Sequence, residues 1–151
     1  MNFEGKVTLQ AEQATVWEFL LDVDQFAACM PGVEKVTKSD EHTFSGSMKA
    51  KVGPLSGEFD FRARIVESVP PSQLRALVEG TDTFTKSMVT SEVDIVLTAI
   101  EPGTTEIAYK AKVDINGRLA IIGEMVLRPT GSQLIQAFFN RVIEKVESPT
   151  T

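Results

Sequence analysis

Polar and apolar residues alternate along most of this chain and recur at helical spacing only towards its two ends. Asn2 to Gln10 places Phe3, Gly5, Val7 and Leu9 on one side, the pattern of a half-buried strand. Between Gln13 and Leu21 the spacing of Val16, Trp17 and Leu20 predicts a short helix with one apolar face. Asp22 can cap a second short helix running through Phe26 to Cys29. Met30, Pro31 and Gly32 then end it, because proline cannot continue the hydrogen-bond ladder and glycine accepts a left-handed turn.

From Val33 to Ile115 the period is two. Phe44, Met48, Ala50 and Val52 oppose Ser45, Ser47, Lys49 and Lys51, and Phe59, Phe61, Ala63 and Ile65 oppose Glu58, Asp60, Arg62 and Arg64. Further on, Ile107, Tyr109, Ala111, Val113 and Ile115 oppose Glu106, Lys110, Lys112 and Asp114. Strands of this kind belong to an antiparallel sheet with one face in water and one face covered. Turn chemistry separates them at Gly53 to Gly57, at Pro70-Pro71-Ser72 and at Glu101 to Thr104, where Pro102-Gly103 suits the centre of a type II turn.

Helical spacing returns at the C-terminal end, where Leu134, Ile135, Phe138, Phe139, Val142, Ile143 and Val146 oppose Gln136, Asn140, Arg141, Glu144 and Lys145. Upstream, Leu119 to Leu127 is apolar nearly all round, so it is expected either to be buried on several sides or to line a pocket. Pro129 removes the helical bond to the carbonyl of Met125, which predicts a kink or break between Arg128 and Ser132. Thr130-Gly131-Ser132-Gln133 has the capping-box form that could restart the helix, and a bend there would spread it from the sheet as an entrance. The expected fold is α+β: a curved antiparallel sheet of about seven strands wrapped around a long C-terminal helix, with two short helices after the first strand. One domain over residues 1–147 and a frayed tail over 148–151 complete the expectation.

Composition narrows the chemistry. With one Cys (Cys29) and one His (His42) in 151 residues, a Cys/His zinc site and an intrachain disulfide are both out of reach. No G-x-S-x-G elbow is present, and no carboxylate pair is singled out for acid/base work. Cys29 reads as a small buried hydrophobe, His42 as part of a solvated turn, and Asp22 and Asp24 as caps. The net charge of -6 and the 7% aromatic content speak against nucleic acid as a partner. No apolar signal region or membrane-length apolar run occurs, and with a lone Cys the expected setting is cytoplasmic.

Several local signatures run through nearly the whole chain in one order. They are Val16-Trp17 with Asp22; Phe26-Ala27-Ala28-Cys29-Met30-Pro31-Gly32-Val33; Val52-Gly53-Pro54 followed by Phe59; Pro70-Pro71; Gly103-Thr104-Thr105; Gly117-Arg118-Leu119-Ala120 with Gly123; and Phe138-Phe139. In these the chain resembles the CoxG-like family of carbon monoxide dehydrogenase subunits, within the START-like, helix-grip (SRPBCC) superfamily. The Cys-x-Pro-Gly-Val segment and the Val-Gly-Pro turn are the most specific pieces. The resemblance implies a deep apolar cavity between sheet and long helix and a non-catalytic role beside a molybdenum-containing CO dehydrogenase or related hydroxylase. It further implies binding of a lipid or isoprenoid quinone and recruitment of the redox enzyme to the cytoplasmic membrane face, with contact at most peripheral. Longer members carry a C-terminal extension that reaches the membrane.

A cavity of that kind takes apolar walls and few polar groups. The expected lining is Phe44, Met48, Phe59, Phe61, Val113, Ile122, Met125 and Phe138, with the Tyr109 hydroxyl placed to donate to a ligand carbonyl such as that of a quinone. No catalytic residue, metal ligand or covalent cofactor is expected. Two rival readings stand beside this one: a polyketide cyclase or dehydratase-like enzyme, which would need acid/base groups aimed inward, and an assembly or interaction protein whose apolar interior is plain core.

Overall fold

The computed structural model describes residues 1–52 and 55–147. Its strands are β1 (Asn2–Leu9), β2 (Val33–Asp40), β3 (Thr43–Val52), β4 (Leu55–Val69), β5 (Gln73–Asp82), β6 (Met88–Glu101) and β7 (Thr104–Asn116). They form one antiparallel sheet in the order β1-β7-β6-β5-β4-β3-β2, so β1 and β2 are its edges. Two short helices, α1 (Gln13–Leu21) and α2 (Val23–Cys29), follow β1, and the long helix α3 (Glu124–Val146) closes the chain. The turn at Gly53-Pro54 and the tail 148–151 lie outside the described residues.

The register carries the alternation across the sheet. Phe3, Gly5, Val7 and Leu9 stand opposite Ala111, Tyr109, Ile107 and Thr105, and Met48 stands opposite Phe59. Asp22 caps α2 by accepting from the amides of Asp24 and Gln25 at 3.0 and 3.2 Å, and Gly32 takes φ 79° after the helix ends. Gly103, at φ 81°, is the left-handed residue the Pro-Gly turn requires.

Pro129 does not break the helix. α3 runs through it from Glu124 to Val146, and Thr130 lies inside, its Oγ1 donating to the Val126 carbonyl at 2.9 Å instead of capping a new start. The amide that proline lacks would have met the Met125 carbonyl, in a first-turn region where Met125 is 93% exposed and water can take the acceptor. The segment from Leu119 to Leu127 is likewise not buried all round. It divides into a 3-10 turn over Arg118–Ile122 and the start of α3, with Leu119 and Leu127 buried and Ile121 left 83% exposed.

The buried core gathers at one end of the sheet. Leu9, Leu97 and Ile107 from β1, β6 and β7 pack with Val16, Trp17 and Leu20 of α1, Cys29 of α2, and Phe138, Phe139 and Val142 of α3. No helix among the described residues is long and apolar enough to cross a membrane.

Candidate ligand-binding face

The inner face of the sheet has two halves. Where α1, α2 and the C-terminal part of α3 cover it, side chains are fully buried: Leu9, Val16, Ile107 and Val142 are each 0% exposed. Over β3, β4 and the neighbouring parts of β5 to β7 the cover is incomplete, although α3 reaches β3. Phe44, Met48, Phe59, Phe61, Ala63, Val78, Val93 and Val113 are all only half-buried, although their inward register matches that of the core.

Glycines let the aromatic rings of this open half lie down on the sheet. A Cβ on Gly57 would fall 2.8 Å from the Phe59 ring, and one on Gly46 would fall 2.9 Å from the tip of Phe61. The two rings therefore pave the sheet instead of standing up from it, which keeps the space above them free. At the hairpin end the face continues into a hollow of about 470 Å³ bordered by Ala50, Gly57 and the 74% exposed Phe84.

A buried polar node holds the rim of this half. Asp82, 2% exposed, accepts from the Glu58 amide at 3.1 Å and from the Thr85 amide and hydroxyl at 2.9 and 2.6 Å. Thr85 Oγ1 is also bonded to Ser87 Oγ at 2.8 Å, and Ser87 Oγ accepts from the Leu119 amide at 3.0 Å. One carboxylate and two hydroxyls thus tie the β5–β6 turn to the start of β4 and to the 3-10 turn before α3. Burial works to raise the Asp82 pKa, but the bonds from Thr85, Glu58 and Phe84 outweigh it, and the carboxyl titrates below its ordinary 3.8. The sequence reading missed this node; its signal is the run Asp82-Thr83-Phe84-Thr85, whose short polar side chains are suited to bonding their own turn backbone.

The expected lining residues are not all brought together. Phe44, Met48, Phe59, Phe61 and Val113 share the open inner face, and Ile122 is half-buried at the end of the 3-10 turn. Phe138 belongs instead to the packed half, 8% exposed with its ring 5.0 Å from that of Phe26. Met125 points to solvent on the first turn of α3 and lines no enclosed wall, because the apolar face that α3 buries at its start is carried by Leu127. Tyr109 stacks on Phe139 at 4.9 Å, and its hydroxyl lies across Gly5 towards the β1 edge, three strands away from Phe59 and Phe61.

The other singled-out groups have structural surroundings. Cys29 is 0% exposed; burial pushes its thiol above its ordinary 9.0 against the pull of Lys145 and Arg141, so it stays protonated at neutral pH. His42 is exposed, and its amide donates to Asp40 at 2.8 Å, holding that carboxyl below its ordinary 3.8. Among the described residues no group of three or more His, Cys, Asp or Glu side chains could hold a metal ion.

Residues 5–147 match the profile of the carbon monoxide dehydrogenase subunit CoxG. The chain belongs to that family. No curated protein sequence matches it. Among solved structures it is similar to a conserved protein from Geobacillus kaustophilus, with TM-score 0.90 and 23% identity over 97% of this chain and 95% of that one. A START superfamily protein from Mycobacterium smegmatis aligns with TM-score 0.72 and 13% identity over 99% of both chains. An aromatase/cyclase from a Streptomyces species aligns with TM-score 0.70 and 16% identity over 97% of this chain and 93% of that one. These likenesses show that this CoxG family member has a START-like, helix-grip fold.

Proposed function

We propose that this protein is a non-catalytic accessory subunit that holds a hydrophobic ligand, a lipid or an isoprenoid quinone, against the open half of its inner sheet face. The observation that carries the reading is the run of half-buried apolar side chains at Phe44, Met48, Phe59, Phe61 and Val113, in register with a fully buried core yet not sealed as that core is. Apolar surface left in water is favourable to cover by about 25 cal/mol per Å², and the flattened rings leave room for the cover to be a ligand. Family membership supports a partner of the CO dehydrogenase type, which we read as a molybdenum-containing hydroxylase that the bound ligand would serve in electron transfer or in recruitment to the membrane face.

The test is organic extraction of protein purified from its native host, followed by mass spectrometry. Recovery of a quinone or lipid near one per chain is the expected result. An empty extract, together with no binding of a short-chain quinone to the purified protein, overturns the ligand reading. Co-purification with molybdenum hydroxylase subunits tests the accessory role separately. The likeness to an aromatase/cyclase is one of fold and does not bring its chemistry to this chain.

A further inference from the structure

On the other flank of α3, away from the open face, a groove of about 590 Å³ runs between the helix and the edge strand β1. Its floor is apolar: Phe3 and Val7 from β1, and Ile135, Phe139 and Ile143 from α3, with Tyr109 of β7 beneath. Along the solvent side the helix presents Arg128, Ser132, Gln136 and Asn140, four residues at i, i+4 spacing and all exposed, facing Asn2 and Glu4 on the strand. Helix residues 128 to 143 span about 22 Å at 1.5 Å per residue.

Two glycines shape the groove. A Cβ on Gly5 would fall 2.5 Å from the Tyr109 hydroxyl, and a Cβ on Gly131 would fall 2.6 Å from the Phe3 ring. Only without those carbons can the phenol reach across β1 and the Phe3 ring slide under the helix. No hydrogen bond joins the Tyr109 hydroxyl to another described residue, and no buried side-chain polar atom among the described residues lacks a partner, so this donor opens to the water of the groove, where a ligand acceptor can take its place. Arg128, the cation of the rim, already donates to the Asn2 carbonyl at 3.0 Å and lies 5.5 Å over the Phe3 ring, and Glu4 balances its charge. The rest of the rim is amide and hydroxyl.

We infer that this groove is a second binding site, distinct from the open sheet face, for a single-chain amphiphile with an uncharged head bearing carbonyl and hydroxyl groups, of the monoacylglycerol type. The chain lies along the apolar floor, its carbonyl oxygen accepts from Tyr109, and the amides of Gln136 and Asn140 meet the head hydroxyls. The volume falls within the about 300 to 1,000 Å³ usual for small-molecule sites. A rim without net charge favours a neutral head over either ion.

The probe is 1-monooctanoylglycerol below its micellar concentration, with octanoate and octyltrimethylammonium as charged counterparts, followed by amide chemical shifts on the full chain. Expected are shifts at Gly5, Ser132 and Gln136, at least tenfold weaker binding of both ions, and a loss of about 2- to 13-fold in affinity for Tyr109→Phe, the worth of one hydrogen bond. Tyr109→Phe keeps the ring on Phe139, so its fold is retained, and Gly5→Ala should abolish binding by displacing the phenol. Shifts confined to Phe59, Phe61 and Val113, equal binding of the ions, or an unaltered affinity in Tyr109→Phe would overturn the site. Quinone binding at the open face is unaffected by these substitutions whichever way the result falls, so the two readings fail separately.

Discussion

The packed and open halves of the inner sheet face are written in the same alternation and share one register, yet they meet different fates. Ile107 and Leu97 on β7 and β6 are 0% and 2% exposed because α1 and the C-terminal turns of α3 lie on them. Phe61 and Met48, inward residues of β4 and β3, remain half-buried because α3, although it comes near β3, does not seal this part of the face. Alternation therefore makes a face apolar without saying whether protein or ligand will cover it, and the two halves should respond differently to the loss of a side chain.

Stability is the strongest way to break this comparison. Ile107→Ala should lower the unfolding free energy by about 3 kcal/mol, since a fully packed site cannot collapse around the void, whereas Phe61→Ala should cost about 1 kcal/mol because much of its ring surface is not enclosed. Denaturant titration decides, and equal losses would show the open half to be ordinary core. Next in size, Asp82→Asn should cost about 2 kcal/mol, because three donors lose a buried charged acceptor.

That second loss should depend on pH in a defined sense. The Asp82 pKa is lowered by folding, so its stabilisation is complete above its ordinary 3.8 and disappears as pH falls through the lower folded value. The gap between wild type and Asp82→Asn, measured by thermal unfolding, should be constant near neutrality and close in acid. A gap that persists at about pH 2, well below the ordinary carboxyl range, would mean that the charge is not what holds the turn.

Ligand affinity sharpens the comparison further. Gly57→Ala places a carbon against the Phe59 ring and forces it up into the open space, so quinone affinity should fall by severalfold while unfolding changes by about 1 kcal/mol or less. The smallest effect belongs to Met125→Gln, which should leave stability within about 0.5 kcal/mol and quinone affinity unchanged, as expected of a 93% exposed side chain.

Much of the fold was legible in local chemistry. Asp22 as a cap, Gly32 and Gly103 as left-handed turn residues, seven alternating strands and the helical stripe ending at Val146 follow from short-range rules, and the structure places them accordingly. The candidate site was legible only in part. Phe44, Met48, Phe59, Phe61 and Val113 were readable as inward residues because period two assigns a face. Met125, turned to water, and Phe138, packed on Phe26, lie apart from that face, because the angle at which a helix docks is set by distant contacts.

The sequence by itself determined which residues could be buried, where the chain turns, and that Cys29 and His42 are too few for the common metal and nucleophile chemistries. Only the tertiary structure decided which apolar residues are covered. Phe3 beneath Gly131 and Arg128 on the Asn2 carbonyl pin the start of α3 to the β1 edge, so the helix leaves the inward side chains of β3 and β4 only half-buried, keeps Pro129 within an exposed turn and borders the groove that Tyr109 lines. Those contacts join residues more than a hundred positions apart, and no local period encodes such a pairing.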